Sequence, residues 1–132
     1  MDFVSIRLIT DDVDGLVRFY ERITDLSLVR TTADFAELQT PSCTLAIAHS
    51  RTMALFGAGA AQPADNHTAI IEFRVADVDQ EYAKLKELVG DFVQEPTTQP
   101  WGNRSLLFRD PDGNLINFFT PVSPDAIEKF VR

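Results

Sequence analysis

The sequence predicts an α+β fold in which one βαβββ unit is used twice. Three features carry that expectation. An apolar strand leads into an amphipathic helix, the same pair recurs 65 positions later (Asp12 to Asp77), and residues 100–121 read as a hairpin closing the second copy. With 132 residues and 45% hydrophobic content, the chain is long enough for one domain with a sizeable core. The expected division is a first module over about 3–50, a connector over 51–66, a second module over 67–122 and a C-terminal helix over 123–131.

Taken in order, Phe3 to Ile9 is apolar and β-branched enough for a first strand. Asp11 or Asp12 then caps a helix on which Leu16, Val17, Phe19, Tyr20 and Ile23 recur at helical spacing. Leu26–Thr32, Phe35–Gln39 and Thr44–His49 read as three short strands separated by turns. The segment GAGAAQPADN, residues 57–66, has little to pack and reads as a flexible connector. Thr68–Val75 is the next strand. A second helix runs from Asp77 to about Val89, with Tyr82, Leu85 and Leu88 facing inward and Gly90 ending it. Phe92–Gln94 is strand-like. In the hairpin, Arg104–Arg109 and Leu115–Thr120 flank Asp110-Pro111-Asp112-Gly113-Asn114, where Pro111 pre-sets φ and Gly113 supplies a positive φ. Ser123 caps a last short helix and Pro124 opens it.

The repeat pairs Ile6 with Ile71, Leu8 with Phe73, Tyr20 with Leu85 and Ile23 with Leu88. Further on, a shift of 70 pairs Pro41 with Pro111 and Leu45 with Leu115. Side chains alternate across a strand, and the more apolar set should face the helices. Val4, Ile6 and Leu8 therefore go to the helix side, as do Ile71, Phe73 and Val75. Ser5, Arg7, Ile70, Glu72 and Arg74 go to the opposite face, with Leu115, Asn117 and Phe119 from the last strand. By the 70-residue shift, Leu45, Ile47 and His49 join them from the fourth strand.

The hairpin PWGNRSLLFRDPDGNLINFFTP and the duplicated βαβββ unit together resemble the glyoxalase/bleomycin-resistance/dioxygenase group, the vicinal oxygen chelate superfamily. The resemblance runs from Phe3 to Val122. It implies two modules whose mixed sheets curl into a cup with the helices outside. In metal-dependent members, the first, fourth, fifth and last strands each supply one ligand, usually His or Glu. Those positions fall here on Ser5, Ile47, Ile70 and Asn117. None is His, Asp, Glu or Cys, and two are aliphatic. The resemblance therefore implies the metal-free, bleomycin-resistance-like branch, with no metal and no cofactor. It also implies a homodimer.

Arg7 and Glu72 either form a salt bridge or bind a polar ligand, since charges on a partly enclosed face are costly unless paired. Asn117 can donate and accept toward a ligand or satisfy backbone. Trp101, the only tryptophan, follows Pro100 in a loop and can stack on a flat ligand, cover the core or form a dimer contact. Phe35, Phe56 and Phe119 are possible companions. His49 or His67 with Glu72 offers only a displaced metal site, and both read more simply as rim residues. Cys43, the one cysteine, reads as an inert thiol. The expected ligand-binding set is Arg7, Ile47, Glu72, Trp101, Asn117 and Phe119, with no catalytic residue among them.

The leading expectation is a protein that sequesters a small aromatic or amphipathic molecule, as in antibiotic resistance. The rival is an enzyme, either a lyase or dioxygenase with displaced metal ligands or a metal-free catalyst using Glu72 as general base. A third reading is a domain with a filled cup kept for protein contacts. Twenty acidic against twelve basic residues, a net charge of −8, argue against a nucleic-acid or anionic-membrane partner. No apolar run approaches membrane-spanning length and no basic-then-apolar leader opens the sequence, so a cytoplasmic protein is the expectation.

Overall fold

The structure, a computed structural model, describes residues 1–131. The chain divides into two compact units, one of residues 1–66 with 111–113, the other of residues 67–110 and 114 onward. Each is a four-stranded mixed sheet with a helix packed on one face, so the predicted α+β class and the doubled βαβββ order are both observed.

In the first unit, β1 (Ser5–Thr10) leads into α1 (Val13–Thr24), followed by β2 (Val29–Thr32), β3 (Phe35–Gln39) and β4 (Thr44–His49). The sheet order is β1-β4-β3-β2, with β1 and β4 parallel and the rest antiparallel. Asp12 is the N-cap of α1, its side chain accepting from the Gly15 N–H at 2.9 Å. Asp25 closes the helix in the left-handed conformation, φ 57°. The apolar stripe Val13, Leu16, Val17, Tyr20 and Ile23 is buried against the sheet, where Ala36, Leu38, Leu45 and Ile47 complete the core. A 3₁₀ turn, Ser50–Leu55, follows β4 where the sequence pattern gave only the start of a connector.

The second unit repeats the plan with β5 (Ile70–Arg74), α2 (Val78–Leu85), β6 (Phe92–Thr98), β7 (Asn103–Arg109) and β8 (Leu115–Pro121), in sheet order β5-β8-β7-β6. Asp77 caps α2 by accepting from the N–H groups of Asp79 and Gln80. This helix is shorter than its apolar spacing predicts. It ends at Leu85, whose carbonyl accepts from both Leu88 and Val89 N–H, and that tightened turn carries Leu88 outward. Leu88 is 43% exposed, and Val89 takes the inward place expected of it. Conversely, β6 runs on through Pro96. It is an edge strand with two register irregularities, which is where a residue without an N–H is tolerated. Behind β7 and β8 the rings of Phe73, Phe108 and Phe118 meet edge to face, with Phe108 and Phe118 centroids 5.1 Å apart. Finally α3 (Pro124–Lys129) starts at its cap Ser123 with Pro124 in the first turn. No helix of the described residues is long and apolar enough to cross a membrane.

One face assignment from the repeat is corrected by the register. β1 pairs with β4 so that Leu8 lies beside Ile47 and Arg7 beside Ala46. Residues paired in this way share a face, so Ile47 belongs with Leu8 on the helix side and is fully buried. Leu45 and His49 share that side. The face opposite the helix is instead supplied on β4 by Thr44, Ala46 and Ala48. The cause is one residue in a loop. Residues 40–43 join β3 to β4, whereas residues 110–114 join β7 to β8, so the correct offset is 70 before the loop and 71 after it. A one-residue slip moves every side chain of a strand to the other face.

Candidate functional site

In the second unit, the helix-free face of the sheet is laid out by the β5–β8–β7 register, which sets Glu72 beside Asn117 and Asn117 beside Leu107. Arg74 lies beside Phe119, and Phe119 beside Ser105. Two sequence-predicted site residues are thus neighbours. Asn117 Nδ2 donates to Glu72 Oε2 at 2.8 Å. Because the amide nitrogen must face the carboxylate, the orientation of this amide is fixed by chemistry, and Oδ1 is turned away from Glu72. Asn117 is only 9% exposed, and its Oδ1 is buried with no hydrogen-bond partner. A buried amide oxygen left without a donor costs about 1–3 kcal/mol. On this face it is an acceptor held ready beside a carboxylate that is itself exposed.

Phe119 lies two residues further along β8 and is also buried, but its cover is internal. The Phe130 ring sits 5.4 Å from it, and the Arg74 guanidinium stacks 5.2 Å over Phe130 while Nη1 donates to the Phe130 carbonyl at 3.1 Å. Nothing in the sequence pattern ties residue 130 to residues 74 and 119, which meet only through the β5–β8 pairing and the return of α3. A groove of about 440 Å³ opens beside this cluster, lined by Arg74, Thr120, Ile127 and Phe130 among others. It includes neither Glu72 nor Asn117.

Trp101 occupies the turn between β6 and β7 and is 66% exposed. The structural work of that turn falls on its neighbour. Gly102, at φ +94°, donates to Gln99 O, and its carbonyl accepts from Val122 and Ser123 N–H. A Cβ placed there would collide with the Ser123 side chain. The turn therefore braces the start of α3, and the indole is left in solvent.

In the first unit, the face opposite α1 carries Arg7, with Ala46 and Glu37 beside it in register, and Phe35 next to Ala48. Arg7 makes no ion pair or hydrogen bond among the described residues. Its guanidinium lies 5.1 Å from the Phe35 ring centroid and 5.4 Å from that of Phe56. Each partner of the expected Arg7–Glu72 bridge is thus engaged within its own unit. Nearby, His49, Ser50 and Asp11 come together, in the wrong order for a nucleophile and base. Ser50 Oγ donates to Asp11, while His49 Nδ1 accepts from the Arg51 N–H at 3.0 Å and caps the 3₁₀ turn. Cys43 is half-buried, its Sγ 3.8 Å from the Val4 carbonyl.

The donor set for a metal can be tested residue by residue. With the register corrected, the four strand positions are Ser5, Ala46, Ile70 and Asn117, and two of these side chains have no donor atom. Among the described residues, no three His, Cys, Asp or Glu side chains gather as a divalent site requires. These residues do not fit a catalytic metal at that position.

Three solved structures show how widely this fold is shared. A glyoxalase/bleomycin resistance protein/dioxygenase from Nocardioides superposes with a TM-score of 0.75 at 22% identity, covering 94% of this chain and 85% of that one. A family enzyme from Burkholderia phytofirmans PsJN gives 0.81 at 13% identity, covering 92% and 100%. A glyoxalase-related enzyme from Fulvimarina pelagi gives 0.76 at 17%, covering 95% and 94%. No curated protein matches the chain. At these identities the structures establish the fold, and the sequence itself supplies the family, because the model of the Glyoxalase/Bleomycin resistance protein/Dioxygenase superfamily matches residues 2–118. With that match spanning most of the chain, the protein belongs to the Glyoxalase/Bleomycin resistance protein/Dioxygenase superfamily.

Proposed function

We propose that this protein binds and sequesters a small aromatic or amphipathic molecule bearing N–H donors, without a metal or other cofactor and without transforming its ligand. The observation that carries the reading is the buried, unpartnered Oδ1 of Asn117 beside the Glu72 carboxylate. Two acceptors side by side match a ligand group with two N–H donors, such as an amidine or a protonated amine next to a ring. The net charge of −8 favours a cationic ligand over an anionic one. Leu107 and Leu115 supply apolar surface beside the polar pair, and Trp101 is exposed enough to fold over a flat ligand at the end of the sheet. Ile47, buried on the helix side, is not part of this site. The absence of a nucleophile–base pair at the face supports binding over turnover. We further propose a cytoplasmic homodimer, supported by the sheet-edge strand β1 and the exposed Phe3, Val4 and Ile6 at its start.

Calorimetric titration with benzamidine and with the uncharged, weaker donor benzamide tests the reading. Benzamidine should bind saturably, tighter than benzamide by about tenfold or more, as expected for one charge-assisted hydrogen bond. It should also be recovered unchanged after prolonged incubation. Equal affinity for the two, or no binding, removes the assigned role of Asn117 and Glu72. Elemental analysis of protein purified without chelator should give well under one divalent metal per chain, and a stoichiometric metal would overturn the metal-free assignment.

A further inference from the structure

Arg30, Arg51 and Arg104 each lie against a carboxylate, at 2.6 Å from Asp14, 3.1 Å from Asp34 and 2.9 Å from Asp79. Acidic residues outnumber basic ones twenty to twelve, so carboxylate partners are plentiful here. Arg74 instead lies over the Phe130 ring and donates to the Phe130 carbonyl, and Arg7 lies against aromatic rings alone. Its guanidinium is held between the Phe35 and Phe56 rings at 5.1 and 5.4 Å from their centroids, and none of its N–H donors is used among the described residues.

The side chains of β4 on this face are Thr44, Ala46 and Ala48, in register with Ser5, Arg7 and Ile9, so the residue beside Arg7 on that strand offers it only a methyl group and no hydrogen-bond partner. Glu37 shares the face but lies beyond Ala46, two strand spacings or about 9.6 Å from Arg7 at the backbone, and no ion pair joins the two. Aromatic rings beside a guanidinium attract its charge without using its N–H donors, and its edge matches a carboxylate with two parallel N–H···O bonds. Phe56 is 68% exposed, a large apolar surface at the rim of the same clamp.

We infer that Arg7, clamped between Phe35 and Phe56, is a binding site for a flat aromatic monocarboxylate. The guanidinium edge takes the carboxylate, and the ring of the ligand lies against Phe56. This site belongs to the first unit, and its evidence is independent of Glu72 and Asn117.

The test is a titration of the full chain with 2-naphthoate and with 2-naphthamide, which share a ring system and differ in charge. The carboxylate should bind at least about tenfold tighter. Arg7→Gln should abolish that preference, and Arg7→Lys should lose most of it, because an ammonium keeps the charge but not the fork. Phe56→Ala, at an exposed position that folding does not depend on, should weaken 2-naphthoate several-fold even if an Arg7 variant fails to fold. Equal binding of the two probes, no binding of 2-naphthoate, a 2-naphthoate affinity untouched by Phe56→Ala, or a preference untouched by Arg7→Lys would overturn the inference. Benzamidine serves as the control for the other site. If it binds while 2-naphthoate does not, the Arg7 site alone fails, and if only 2-naphthoate binds, the Asn117 site fails and this one stands.

Discussion

At the scale of single residues, Asn117 separates a stability role from a binding role. Its Nδ2 satisfies Glu72, but its Oδ1 is buried without a donor, so the side chain carries a desolvation cost that folding alone does not require. Asn117→Leu should therefore leave the thermal midpoint within about 3 °C of the parent, or raise it, while weakening benzamidine about tenfold or more. Differential scanning fluorimetry alongside titration checks both halves, and a large loss of stability would mean that Asn117 is structural. The residue scale is also where the sequence was most informative. The β5 and β8 alternation put Glu72, Asn117 and Phe119 on one face from pattern alone. The same reasoning put Ile47 there wrongly, because the loop at 110–114 is one residue longer than that at 40–43 and pattern matching carried the earlier offset past it. Phe130 over Phe119 was not legible, since it depends on tertiary return of the chain and leaves no periodic trace.

Elements are held by a few local devices, and each predicts a measurable response. Gly102 combines a left-handed φ with a close approach to Ser123, so Gly102→Ala should destabilise the protein by about 2 kcal/mol or more, read from urea unfolding. The early end of α2 makes a sharper comparison. Leu88→Ser should fall within about 0.5 kcal/mol of the parent, whereas Val89→Ala should cost about 1 kcal/mol or more. The helical continuation read from the sequence would require the reverse. Between α2 and β7, Arg104 Nε and Nη2 both bond the Asp79 carboxylate, at 2.9 and 3.1 Å. That hydrogen bond holds the Asp79 carboxyl below its ordinary value of 3.8. A carboxylate whose folded value is depressed contributes stability above the unfolded value and loses it as pH falls through the folded one. The difference in thermal midpoint between the parent and Asp79→Asn should thus be small and positive at pH 7 and shrink as pH falls below 3.8. A difference that grows on acidification would contradict the pairing. Strand bounds were readable in part: β3 and β4 have the predicted bounds, because each is a short apolar run between turn residues, whereas β6 runs four residues past the expected end at Gln94. The 3₁₀ turn at Ser50–Leu55 was not readable, since it is fixed by the His49 side chain turning back on the Arg51 N–H.

For the molecule as a whole, the duplicated unit gives two sheets of the same order whose helix-free faces have diverged in chemistry. One carries an acceptor pair, Asn117 and Glu72, and the other a clamped donor, Arg7. The net charge of −8 acts on both with opposite sign. Raising salt from about 20 to 500 mM shortens the Debye length from roughly 20 Å to about 4 Å, so benzamidine affinity should fall. The affinity for 2-naphthoate should hold or rise over the same range, because screening removes a repulsive field. Titrations at the two ionic strengths check this, and parallel trends for the two probes would contradict the assignment of opposite sites. The superfamily match fixes the fold on which these faces are built, and the side chains on them decide what is bound. The most direct test of that account is one comparison, benzamidine binding by calorimetry to the parent chain and to Asn117→Leu. The account predicts saturable binding to the parent and its loss in the variant, with the fold retained. Binding of equal strength to both would show that the orphaned amide oxygen is not the group that recognises the ligand.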